Sequence, residues 1–395
     1  MRESWRWFGP NDPVSLAEIR QTGATDIVSA LHDIPIGEVW PREEIAAHKA
    51  IIEEHNETMA PLHWTVVESI PVHEDIKLAA LGHDQYVENW IVTLGNLAAE
   101  GIKTICYNFM PVIDWTRTEL KYQLPNGVYV LRFDQDRFAA FDLFILRREN
   151  APSNYSQAEI ERAERVFEKM TAKDQVDLTC TIITGLPGKM TDAYSLEDFR
   201  EVLARYSHVD HEGLRQNLFA FLAKVLPHAE KLGMNLAIHP DDPPWDMFGL
   251  PRIICTPLDL DKLFDELPSP ANGITLCVGT YGSRPDNDLP QMARDFAERI
   301  HFAHLRGVTR DPQEQRSFHE ASHLDSDIDM VRVIRHLLDN EQQLNREIFI
   351  RPDHGHLMMG DIERTTNPGY SAIGRMKGLA EIRGVIKAVL ELAGI

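Results

Sequence analysis

Four side chains that can bind metal close short apolar runs late in the chain: His239 in LAIHPDD, Cys277 in ITLCVGT, His304 in IHFAHLR and Asp353 in IFIRPDHGH. Singly each has an ordinary explanation, since a buried cysteine packs like a small hydrophobe and a histidine at a strand end often only satisfies a hydrogen bond. Together they imply more. If the runs are parallel strands of one closed barrel, their carboxyl ends share a rim, and residues distant in sequence converge there. Two imidazoles, a thiolate and a carboxylate suit a borderline first-row ion such as Fe(II), Mn(II) or Zn(II) and suit magnesium and calcium poorly. Manganese or ferrous iron is the expected cofactor. Arg306 and Arg351, at the same strand ends, could bind an anionic group or could pair with Asp241, Asp242 or Asp353.

The elements that must position these residues are legible as alternation. Eight β-branched runs, each a candidate strand, are Trp5 to Phe8, Thr25 to Leu31, His63 to Ile70, Ile102 to Phe109, Leu236 to Asp242, Ile274 to Gly279, Ile300 to Arg306 and Ile348 to Asp353. Amphipathic segments separate most of them, the pattern of parallel strands with crossover helices, and eight is the number that closes a barrel. The fold class is α/β, a (β/α)8 barrel. Ser15 with Glu18 predicts a capping box and Gly23 a helix stop. Val87, Trp90, Ile91, Leu94, Leu97 and Ala98 recur at helical spacing between Asp84 and Glu100.

Met110 to Met234, between the fourth and fifth strands, is far longer than one helix needs. Residues 1–395 are expected to form a single barrel domain with a mainly helical insertion over 110–212. The insertion carries a hairpin around Asn126 and Gly127 and helical segments near Ser156 to Met170 and Ser195 to Tyr206. Gly213 to Leu232 reads as the outer barrel helix, with Pro227 as a point of kinking.

Composition narrows the function classes. The 395 residues are 43% hydrophobic and 26% charged, as in ordinary globular proteins. The net charge of −21, from 61 acidic and 40 basic residues, repels polyanions and argues against nucleic acid and acidic membrane. A small anionic substrate then needs a local cation. The first ten residues show no signal peptide, no run approaches a membrane span, and the four cysteines make no disulfide framework, so a cytoplasmic protein is expected.

Two motifs are decoys. His319, Glu320 and His323 match H-E-x-x-H, but RSFHEASHLDSDID lacks a helical apolar stripe, so the segment reads as a loop over the barrel mouth rather than a zinc protease helix. GLPGK, from Gly185 to Lys189, lacks the spacing and the final Ser or Thr of a phosphate loop. No dinucleotide fingerprint follows an early strand, so no nucleotide cofactor is expected.

The segments WRWFGPNDPVSL, TICYNFMPVIDWTRT, HPDDPP, CVGTYGSRPDND, FAHLR, RPDHGH and NPGYSAIGRMKGLAEIRGV run nearly from end to end. In them the chain resembles the mannonate dehydratase family. One departure is EEHNETMAPLHW, before the third strand, which is longer than the compact turn expected. The resemblance implies a xylose-isomerase-like barrel with the metal on His239, Cys277, His304 and Asp353, the positions already chosen from strand ends. It further implies acid and base roles for His354 and Tyr370 and a homodimer. Its reaction is a hydro-lyase step, D-mannonate to 2-keto-3-deoxy-D-gluconate and water, in hexuronate breakdown. Arg6, Trp7 and Asn108 are candidate sugar contacts beside Arg306 and Arg351. The rival readings are a metal-dependent sugar isomerase on the same barrel and a non-enzymatic sugar-acid binding module.

Overall fold

The computed structural model describes residues 1–55, 58–184 and 195–393. The GLPGK segment therefore lies outside the described residues, as do Asn56 and Glu57 of EEHNETMAPLHW.

Eight parallel strands close a barrel. They are β1 (Arg2–Arg6), β2 (Asp26–Ser29), β3 (His63–Glu68), β4 (Thr104–Tyr107), β7 (Asn235–Ile238), β8 (Asn272–Cys277), β9 (Ile300–Leu305) and β12 (Phe349–Pro352), in the ring order β1-β12-β9-β8-β7-β4-β3-β2. All eight expected runs supply one strand each. The first is displaced: β1 ends at Arg6, so Trp7 and Phe8 follow the strand rather than belong to it. β8 and β9 are buried at every residue, as a sheet covered on both faces requires.

The helices stop and start as their end residues dictate. Ser15 and Glu18 form the reciprocal capping box, and Gly23 ends that helix in the left-handed conformation at φ 79°. The helix His83–Ala99 buries Val87, Trp90, Leu94 and Leu97 against the barrel. His211–Leu232 packs its buried leucines and phenylalanines on the same core and contains Pro227. Among the described residues no helix is long and apolar enough to cross a membrane.

The hairpin around Gly127 forms as expected, pairing β5 (Glu119–Gln123) with β6 (Tyr129–Phe133). It does not stand alone. It continues through β11 (Phe318–Ala321) to β10 (Gly307–Arg310), both from the connection after β9, as one antiparallel sheet in the order β10-β11-β6-β5. This corrects the expectation for the H-E-x-x-H segment: His319 and Glu320 lie on strand β11, not in a loop. The sequence SFHEA alternates, so Phe318 and Glu320 face inward and are buried while His319 is half-exposed. A strand cannot put His319 and His323 on one helical face, which removes the protease geometry as well.

Candidate active site

The late strand ends do converge. His239 follows β7, Cys277 ends β8 and His304 lies near the end of β9, and one donor atom from each falls within 4.8 Å of the other two. Cys277 and His304 are fully buried, and His239 is half-buried. The His239 Nδ1 lies 2.7 Å from the Pro240 carbonyl. A carbonyl only accepts, so Nδ1 carries the proton and Nε2 keeps its lone pair, the arrangement that orients a metal-binding imidazole. His304 Nε2 is buried, with Glu68 Oε2 3.4 Å away and no well-aligned hydrogen bond. That donor set fits a first-row divalent cation.

Asp353 sits just past β12, with Oδ2 3.6 Å from the Cys277 sulfur and Oδ1 3.8 Å from His304 Nδ1. It stands slightly apart from the other three because Arg351 Nη1 holds its Oδ1 at 2.6 Å. Burial alone would raise the Asp353 carboxyl, but Arg351, then His354, Arg306 and His304, hold it well below the ordinary carboxylate range. A carboxylate charge is thereby kept beside the three donors. A second cluster, Glu68, Cys106 and His304, has the same spacing. It is the poorer cation site. Burial pushes the Cys106 thiol well up, and Glu68 spends both oxygens on Arg351.

The two arginines are spent on protein acids. Arg351 donates to both Glu68 oxygens at 3.1 and 2.8 Å, and Arg306 donates to Glu320 at 3.0 Å, Asp242 at 3.1 Å and Thr280 at 2.9 Å. Arg117, from the segment before the hairpin, pairs both its terminal nitrogens with Asp242 at 2.8 and 3.1 Å. Burial would raise the Asp242 carboxyl, and Arg117 and Arg306 lower it below its ordinary value. Glu68, Asp242, Glu320 and Asp353 are thus each answered by buried guanidinium groups.

Of the expected substrate contacts, Arg6, Asn108, Arg306 and Arg351 line the cavity beside His239, Asp353, His354 and Tyr370. Arg6 keeps Nε and Nη1 without hydrogen bonds, with Nη1 3.5 Å from Glu68. Trp7 lies elsewhere, buried in the core with its ring 5.4 Å from that of His48. His354 and Tyr370 meet edge to face, ring centres 5.1 Å apart. Burial, opposed by Arg351, pushes the Tyr370 hydroxyl up to about 12, so it holds its proton at neutral pH.

Sequence reasoning missed Glu68, Arg117 and Glu320. Glu68 ends β3 and could have been found by applying the strand-end rule to the early strands. Glu320 was hidden by the motif it belongs to, although an acid at an inward position of an alternating run is a signal in itself. Arg117 carries none that is local.

The D-mannonate dehydratase (UxuA) family model matches residues 1–393. The chain is 52% identical over 390 residues to the mannonate dehydratase of Marinomonas sp. (strain MWYL1), covering 98% of each. It is 51% identical over 397 residues to that of Chromohalobacter salexigens, covering 100% of both. Among solved structures it is similar to mannonate dehydratase from Streptococcus suis serotype 2, with a TM-score of 0.78 and 34% identity, covering 100% of this chain and 95% of that one. A xylose isomerase-like TIM barrel protein from Mycobacterium smegmatis shares the fold alone, at a TM-score of 0.51 and 12% identity over 95% of this chain and 88% of that one.

Proposed function

The chain belongs to the D-mannonate dehydratase family and is a hydro-lyase that converts D-mannonate to 2-keto-3-deoxy-D-gluconate and water in hexuronate breakdown; we propose that its chemistry is carried by the side chains gathered at the barrel mouth. The observation that supports this site is the close approach of His239, Cys277 and His304 donor atoms, all within 4.8 Å, with Asp353 beside them.

In this reading those four residues hold one divalent cation, Mn2+ or Fe2+. Bound there, the ion would withdraw charge from the substrate carboxylate and make the neighbouring C2 proton easier to remove. The chain's own groups supply the rest. Arg6, with two nitrogens free of hydrogen bonds, gives the sugar acid a cationic partner in an otherwise acidic protein, and Asn108 offers an amide to its hydroxyls. Arg306 and Arg351 hold Asp353 and its neighbours in place. His354 and Tyr370 divide the two proton transfers, one taking the C2 proton and the other protonating the C3 hydroxyl so that it leaves as water. No redox change and no nucleotide enter.

Incubating the metal-loaded protein with D-mannonate and following the 2-keto-3-deoxy acid tests the reaction. An isomerised product that keeps all its oxygens would favour the sugar isomerase instead. The same reading treats residues 1–395 as one domain with an insertion at 110–212 and places the enzyme in the cytoplasm as a homodimer. Light scattering on the purified protein tests the last of these.

A further inference from the structure

Glu320 reaches the site from outside the barrel, on the strand that the insertion hairpin pairs with. Its Oε1 lies 2.5 Å from His354 Nδ1, and both residues are buried. At that separation a proton must lie between the atoms, because two lone pairs so close would repel. The proton belongs to the imidazole. Arg306 Nη1 at 3.0 Å and Arg117 Nη2 at 3.7 Å from its Oε1 keep Glu320 a carboxylate, an acceptor only. Arg306 Nη1 is 3.0 Å from both Glu320 Oε1 and His354 Nδ1. A guanidinium cannot accept, and Nδ1 already donates, so Arg306 gives its proton to Glu320.

We propose that Glu320 is the positioning residue of the dehydratase: it takes the Nδ1 proton of His354, fixes that ring's tautomer and orientation, and leaves Nε2 as the atom that exchanges a proton with the substrate. This rests on the reading of His354 as a proton-transfer residue. The requirement is general. A ring free to swap tautomers or rotate spends part of its time with the wrong nitrogen facing the substrate, and an oriented carboxylate removes that freedom. The anchoring of Glu320 shows why the second sheet matters. Its neighbour in β11, Phe318, stacks on Phe133 of β6 with ring centres 6.0 Å apart, and Arg117 lies over Phe318 at 4.9 Å. The insertion and the connection after β9 thus jointly place one carboxylate behind the proton-transfer histidine.

The experiment has two arms. The first uses nitrogen-15 NMR of histidine-labelled protein loaded with diamagnetic Zn2+, with the His354 signals assigned from a His354→Gln sample. Protonated Nδ1 and lone-pair Nε2 are expected in the unmutated protein. An Nε2-protonated or averaged ring overturns the proposal, and this arm needs no turnover. The second compares Glu320→Gln and Glu320→Asp with the unmutated enzyme on D-mannonate and on its C2-deuterated form. Glu320→Gln should lower kcat roughly 10- to 100-fold, with KM within about threefold, bound metal unchanged and a larger deuterium effect. Glu320→Asp should recover part of the loss. Equal turnover in Glu320→Gln, or metal and turnover lost together, overturns it. If the unmutated enzyme makes no 2-keto-3-deoxy acid, the function fails while the tautomer result still stands or falls alone.

Discussion

Glu68 and Arg351 join β3 to β12 across the two strands between them in the barrel ring, the guanidinium meeting both carboxylate oxygens at 3.1 and 2.8 Å. The same guanidinium holds Asp353 at 2.6 Å. One early residue thereby fixes the position of the last proposed metal ligand. Glu68→Gln keeps the shape and removes the charge, leaving a buried guanidinium with only Asp353 to answer it. Stability should fall by about 3 kcal/mol, read from urea unfolding at neutral pH. An unchanged midpoint would mean that Asp353 alone suffices for Arg351.

Cys277 gives the second prediction, since a thiol is the least replaceable donor in the set. Chelation should abolish turnover, and Mn2+ or Fe2+ should restore it. Metal at one hundred times its dissociation constant should stabilise the folded protein by about 2.7 kcal/mol. In Cys277→Ser that metal-dependent gain should shrink, with metal affinity lower by roughly tenfold or more, while the far-ultraviolet spectrum stays the same. Full metal binding by the variant, measured by elemental analysis, would move the ligand set elsewhere.

Much of this was legible in the residues, and the limits have physical causes. The barrel strands announce themselves because strands buried on both faces are short β-branched runs, and their polar ends mark the rim. Boundaries slipped where a strand gives way to a buried turn: at Trp7 and Phe8 the apolar pattern continues though pairing has ended. β10 and β11 pair locally with each other, but they were not foreseen because the partner that completes their sheet, β6, meets β11 through Phe133 and Phe318, far apart in the chain. Glu320 went unread because its strand carries the H-E-x-x-H match, which masks the alternation that buries Phe318 and Glu320. A strand supplied from elsewhere turned an apparent loop motif into a positioned carboxylate.

His301, at the amino end of β9, predicts the acid limb of the stability curve. Burial, and then Arg346 with its Nη1 3.3 Å from the ring, lowers its pKa from 6.5 to about 3. Between those values the unfolded chain binds a proton that the folded one refuses, so stability is complete above pH 6.5 and declines as pH falls toward 3. In His301→Gln this contribution is gone. Urea midpoints measured at pH 8, 6 and 4 should fall less steeply for the variant than for the unmutated protein. Parallel curves would place the acid sensitivity in other groups.

Gly279, two residues past Cys277, lies where space rather than backbone conformation excludes a side chain. It is not among the glycines with positive φ, so alanine would suit the helix Val278–Gly282. A methyl there would lie 2.1 Å from Arg306 Nε and 2.9 Å from its Cγ. Arg306 cannot retreat, because Glu320, Asp242 and Thr280 hold its two terminal nitrogens at 2.9 to 3.1 Å. Gly279→Ala should therefore cost about 1–3 kcal/mol in overpacking and, by moving Arg306, disturb Asp353 and Glu320 together. Gly282→Ala is the control. Its methyl would crowd Ile328 Cδ1 at 2.5 Å, in apolar surroundings rather than against a charged group. Both variants should unfold at lower urea, but only Gly279→Ala should lose turnover beyond what its stability explains. If kcat falls equally in the two, Arg306 does not transmit packing to the active site.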